Sequence, residues 1–176
     1  MQAIFLSDNH YFCSGISASS SSSYLIDENS DLKNILNLNN RFDVFFINVS
    51  CHMLRLHLLK GVKDADKTCV IMMDDIRDGC YYTFSDVIYA SATLSYENLK
   101  KIIAQKNIPS ISKLPKREKY VSSRLHLSDN YFAMRFGIQL KTAGAYRRDL
   151  IGKLMLKRKN TIAINRIQSC IIASHG

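Results

Sequence analysis

The chain has 176 residues, 47% hydrophobic and 22% charged, a balance that can bury a sizeable core and excludes a disordered tail. Met1 to Ser7 lacks the basic and apolar regions of a secretory signal, and no stretch approaches the roughly 20 apolar residues of a membrane span. The expectation is a cytoplasmic protein with no membrane partner, its net charge of +9 inviting a polyanion instead.

In chain order, Ala3 to Leu6 is a short apolar run of the kind that forms a strand covered on both faces. The Ser-rich stretch Ser17 to Ser23 reads as a frayed helix end or a loop, with a weaker strand at Tyr24 to Ile26. Leu32 to Leu38 has helical spacing. Val44 to Ile47 is the next strand, His52 to Lys60 the next helix, and Cys69 to Met73 and Val87 to Ala90 two further strands. Tyr96 to Gln105 places Leu99, Ile102 and Ile103 on one side of a helix. Strands alternating with helices predict an α/β unit with a parallel sheet over residues 1–106. Pro109 breaks the helical pattern and predicts a linker over 107–112.

Charge divides at the same place. Residues 1–112 hold 10 Lys and Arg against 12 Asp and Glu, whereas residues 113–176 hold 14 against only Glu118, Asp129 and Asp149. Nucleic acid is the commonest partner of so basic a segment; an acidic lipid surface or a merely solvated face is the alternative. Five cysteines, Cys13, Cys51, Cys69, Cys80 and Cys170, form no C-x-x-C pair and suggest neither a disulfide framework nor a zinc finger. No cofactor or metal is expected. The five histidines lack metal-site spacing, and Cys51 and His52 diverge on a helix, so no catalytic residue is assigned and no enzyme is expected.

Three successive blocks carry the most specific signal. Leu114-Pro115-Lys116-Arg117-Glu118-Lys119-Tyr120-Val121 resembles the opening helix of LuxR/NarL-type helix-turn-helix regulators. Ser128 to Ile138 is similar to their scaffold helix, with Ser128 as N-cap and Gly137 at the tight turn. Leu140 to Leu154 resembles their recognition helix. The resemblance implies an all-α four-helix DNA-binding domain over 113–176, closed by a helix within Asn160 to Ser174 that commonly mediates dimerisation in that family, a purely structural place in the domain core being the equal alternative. At 100° per residue, Ala143, Leu150 and Leu154 face its core. By the resemblance, Gly144, Ala145 and Arg148 read bases, Arg148 being able to contact guanine and Ala145 a thymine methyl. Lys141, Thr142, Arg147 and Lys153 suit phosphates. Gly144 and Gly152 each cost the helix about 1 kcal/mol, and Tyr146 and Asp149 depart from the pattern, which implies modest DNA affinity without a partner.

The first part resembles a degenerate response-regulator receiver. Asp8 has a counterpart in the receiver's acidic pair, but Asn48 stands at the phosphoacceptor position, and an amide does not form an acyl phosphate. No lysine lies between Lys67 and Lys100, where receivers hold one. Together the two parts resemble small auxiliary activators of the RcsA-like and EcpR-like kind. This implies control of capsule, fimbria or other virulence genes as a homodimer, or as a heterodimer with a response regulator of the LuxR/NarL class. The competing reading is a protein-interaction co-regulator that does not read DNA itself.

Overall fold

The computed structural model describes residues 2–18, 22–27, 29–30, 34–35, 41–105, 108–111, 115–122, 124–157 and 161–175. In chain order these form β1 (Ala3–Ser7), α1 (His10–Ala18), β2 (Ser22–Leu25), β3 (Val44–Asn48), α2 (His52–Asp64), β4 (Thr68–Met73), β5 (Tyr81–Phe84) and β6 (Val87–Ser91). Then follow α3 (Tyr96–Ala104), α4 (Lys116–Ser122), α5 (Asp129–Phe136), α6 (Leu140–Lys153) and α7 (Thr161–His175).

The apolar runs become the centre of one six-stranded sheet of order β2-β1-β3-β4-β6-β5. β2, β1, β3, β4 and β6 run parallel, and β5 pairs antiparallel with β6 at the edge. Because side chains alternate across a strand, each run feeds two cores. Phe5, Val44, Phe46, Val70, Met72, Ile88 and Ala90 face Phe12 and Ile16 of α1 and Leu99 and Ile102 of α3. The Phe5 and Phe46 rings stack at 4.3 Å. Ile4, Leu6, Phe45, Ile47, Cys69, Ile71 and Tyr89 face the other way.

That second core holds the main correction to the sequence reading. It runs without a break from the sheet through Leu58 and Leu59 of α2 to Val121, Phe132, Leu150, Ile164 and Ile167 of the C-terminal helices. α7 packs directly on α2. An independent four-helix domain needs a core of its own, and these helices instead share the sheet's. The molecule is therefore one α/β domain with a mixed sheet, not a receiver-like domain joined to a separate helix-turn-helix domain. Backbone bonds fasten the two parts: Ile76 bridges Leu156, Arg77 N donates to Met155 O at 2.8 Å and Lys157 N to Asp75 O at 2.8 Å. Lys157 Nζ adds an ion pair to Asp78 at 2.6 Å.

The described part of the expected linker, residues 108–111, lies along the edge strand. Thr83 N donates to Pro109 O at 2.7 Å and Ile111 N to Thr83 O at 2.9 Å, which satisfies groups that β5 would otherwise leave open. Most of the helix expected at Leu32 to Leu38 falls outside the described residues, as do Leu114 and residues 19–21 of the Ser-rich stretch. α1 and β5 are additions to the sequence reading.

Candidate nucleic-acid interface

Local chemistry sets the two central helices of the basic segment. Ser128 Oγ accepts from Tyr131 N at 3.2 Å and caps α5. At its other end Gly137 has φ +62°, Ile138 N donates to Ala133 O at 3.0 Å and Gly137 N to Met134 O at 3.4 Å. This is the paired-bond stop that glycine favours, and it allows α6 to begin three residues later at Leu140. Phe132 anchors α5, and Ala143, Leu150 and Ile151 anchor α6, all buried in the shared core.

The opposite side of α6 meets solvent. Lys141, Thr142, Ala145 and Arg148 are exposed, and Lys141, Ala145 and Arg148 fall within an arc of about 60°. Neither Lys141 nor Arg148 takes part in an ion pair among the described residues. Both are available to an incoming anion.

Three other sequence candidates are committed inside the protein. Gly144 is buried, and a Cβ there would stand 3.2 Å from Asp129 Oδ2 and 3.4 Å from Arg148 Nη1. It permits a close approach of α5 to α6 and offers no surface to a base. Arg147 donates to Leu125 O at 2.8 Å and to Asp129 Oδ1 at 3.3 Å, tying α6 to the start of α5. Lys153 binds both oxygens of Glu118, at 2.9 and 2.7 Å, and Asp149 at 2.9 Å. The Glu118 bonds foremost, then those of Asp149, hold its ammonium above the ordinary lysine pKa. Arg147 and Lys153 thus offset all three acidic side chains of the segment, and the remaining cations set its field.

Sequence reasoning passed over a second cationic group. Tyr120 and Tyr131 join through their hydroxyls at 3.0 Å; Arg124 lies 4.2 Å and Arg135 5.9 Å from the Tyr120 ring, and Arg117 lies 5.9 Å from that of Phe136. The bond between the two hydroxyls is foremost among the causes that lower the Tyr120 pKa and raise that of Tyr131, and either hydroxyl can be its donor. The signal was present as Tyr120/Arg124 and Tyr131/Arg135, both spaced by four. Arg117 and Arg135 are exposed on α4 and α5. Arg158 and Lys159 lie outside the described residues.

Asn48 ends β3, where Ser7 Oγ donates to its backbone oxygen at 2.7 Å. Asp8 Oδ2 accepts from Ser50 N at 2.8 Å and Cys51 N at 3.0 Å, so this carboxylate holds the chain at the entrance to α2. Among the described residues no group of three or more His, Cys, Asp or Glu is placed to hold a metal ion, and no helix is long and apolar enough to cross a membrane. No known protein-family model matches the chain, and a search of curated proteins returned no match.

Proposed function

We propose that the protein binds double-stranded DNA through the α5–turn–α6 unit, with Arg148 and Ala145 meeting base edges and Lys141 and Thr142 meeting phosphates. The observation that carries this reading is the α6 face itself. A helix fixed to the core on one side presents two exposed, ion-pair-free cations one turn or more apart on the other, in a segment whose own carboxylates are already neutralised. Arg148 supplies the fork that pairs with guanine O6 and N7, and Ala145 leaves room for a thymine methyl. By its resemblance to LuxR/NarL-type regulators the protein acts on transcription, as a homodimer or with a related regulator, at genes of capsule, fimbriae or other surface structures.

Selection of genomic fragments by the purified full-length protein at near-physiological salt, beside Arg148→Ala, tests the reading. A common motif enriched by the wild type and lost in the variant is the expected result. Retention of fragments without a shared motif, equal in the two proteins, refutes base reading by Arg148.

A further inference from the structure

The sheet ends in two strands that are finished differently. The strip 108–111 bonds to β5, whereas β2, at the opposite edge, is paired with β1 alone. The direction of each backbone group in β2 follows from the ladder. Ile26 N donates to Ser7 O at 2.8 Å, and in a parallel strand the N–H and C=O of one residue point one way while those of its neighbours point the other. Tyr24 and Ile26 therefore turn to β1, and Ser23 and Leu25 turn outward. Gln2 O, which accepts from Asp43 N at 2.8 Å, fixes the same parity from the β3 side of β1. Among the described residues no backbone hydrogen bond reaches the outward groups of Ser23 and Leu25.

The side chains leave that edge accessible as well. Ser23 Oγ lies 2.8 Å from Ser17 Oγ and donates to Cys13 O at 3.1 Å, so Ser23 and, two residues on, Leu25 point to the α1 side of the sheet. Ile26 is buried in the other core, which puts Tyr24 on the opposite face. Tyr24 is 46% exposed and Leu25 45%. Sheet edges are ordinarily protected by a lysine, a proline, a bulge or a covering segment, because an open edge invites another strand. Ser22-Ser23-Tyr24-Leu25 carries no charge and no proline.

We propose that β2 joins its counterpart in a second copy of the chain, antiparallel about a two-fold axis through Tyr24, so that one sheet runs through both. Parity decides the register. Centred on Tyr24, Ser23 faces the partner's Leu25 and Leu25 faces the partner's Ser23, and each facing pair exchanges both its N–H···O bonds. A slip of one residue sets outward groups against inward ones and loses those bonds. Tyr24 and the partner's Tyr24 then share one face in the non-hydrogen-bonded position, where side chains approach most closely. A charged residue at that centre repels its own copy, whereas an aromatic ring attracts it. The edge is thus complementary to itself in hydrogen bonding, charge and side chain, which favours a second copy over an unrelated strand. The join is made by residues 1–112, whose 10 Lys and Arg nearly balance 12 Asp and Glu, and not by the basic segments, which repel. A pair of four-residue strands covers less than the roughly 1,200–2,000 Å² of a stable interface, so the dimer is a reversible one.

Sedimentation velocity of the full-length protein without DNA, from about 1 to about 200 µM in about 0.3 M salt, tests the pairing. The expected result is a monomer–dimer equilibrium within that range. Tyr24→Lys sets two ammonium groups face to face and weakens the dimer roughly five- to tenfold; Tyr24→Glu does the same with carboxylates, and an equal mixture of the two variants regains the dimer. Leu25→Pro removes an outward N–H that β1 does not use and weakens the dimer by a similar factor. Far-UV circular dichroism checks the fold of each variant, and the Tyr24 set decides the matter even if Leu25→Pro does not fold. A monomer throughout overturns the proposal. A dimer that Tyr24→Lys and Leu25→Pro leave unchanged lies elsewhere on the surface and overturns it too, and a mixture that associates no more than its parts overturns the register through Tyr24. Neither DNA nor α6 enters the measurement, so failure of the pairing and failure of the proposed DNA contacts stay distinguishable.

Discussion

Lys141 and Lys153 both lie on α6 and carry the same charge, yet the structure gives them different work. Lys141 is exposed and outside any ion pair among the described residues, whereas Lys153 is held by Glu118 and Asp149 at 2.7–2.9 Å. Replacing each by Gln keeps length and removes charge. If Lys141 contacts one phosphate, Lys141→Gln lowers the slope of log Kobs against log salt by about 0.9, so affinity falls about 3.5-fold less than wild type between roughly 50 and 200 mM salt. Lys153→Gln leaves that slope unchanged but strands Glu118, whose side chain is only 13% exposed, and costs about 0.5–1 kcal/mol of stability. Fluorescence anisotropy on a selected site across a salt series gives the slopes, and urea unfolding gives the stabilities. A slope lowered by Lys153→Gln and untouched by Lys141→Gln refutes the assignment of the α6 faces.

Four further outcomes follow from the geometry. Gly137→Ala forces a Cβ onto φ +62° where nothing else crowds it, so the cost in urea unfolding is the left-handed backbone penalty, about 1 kcal/mol. Asp66 occupies the same kind of position after α2, exposed and at φ +53°, with an unfavourable charge at the helix C-terminus; Asp66→Gly raises stability by about 0.5–1 kcal/mol in the same assay. His52 titrates below 6.5 in the folded state, so the unfolded chain takes up the extra proton first as pH falls. Its contribution is fully present above that ordinary value and is lost as pH drops through the window beneath it; His52→Gln flattens the fall in urea midpoint measured from about pH 7.5 to about pH 5.5. Finally, the shared core predicts a single heat transition in which amide signals of the sheet and of α5–α7 vanish together, and two separate midpoints refute one domain.

The strands that were legible in the sequence are those buried on both faces. Val44 to Ile47 and Cys69 to Met73 are continuous apolar runs because helices cover each side. β5 escaped because Tyr81-Tyr82-Thr83-Phe84 is an edge strand with alternate burial, and its two-residue turn is Ser85-Asp86. Both turn residues take positive φ, a role for which Asn-Gly is the familiar signature. α1 was announced by Asn9, whose Oδ1 accepts from Tyr11 N and Phe12 N, a cap that was passed over beside the Ser-rich run. The turn at Gly137 came with the family resemblance, and helical spacing placed Ala143, Leu150 and Leu154 on the buried face of α6 but set Gly144, which is buried, on the outer one. The internal partners of Arg147 and Lys153 were not legible, since Asp129 and Glu118 reach them from other helices. Nor could a local pattern reveal that Leu150 and Ile164 pack into the same core as Ile71; that depends on which surfaces meet, and a proline at 109 reads alike in a free connection and in a strip laid along a strand.

If the protein reads DNA as proposed, the strap formed by Ile76–Arg77 and Met155–Lys157 has a consequence for its operator. A reading head on a loose tether can swivel to suit half-sites at different separations and orientations, and loses that freedom each time it binds. Here α6 ends in a segment stitched to the loop after β4, so the helix cannot turn without carrying the sheet with it. Two such bodies held together fix the distance and phase between their α6 helices as a carpenter's gauge does. Insertion of a single base pair between half-sites then displaces one helix by about 3.4 Å along the duplex and rotates it by roughly a tenth of a turn. A DNA-bound dimer of that build would tolerate altered spacing poorly.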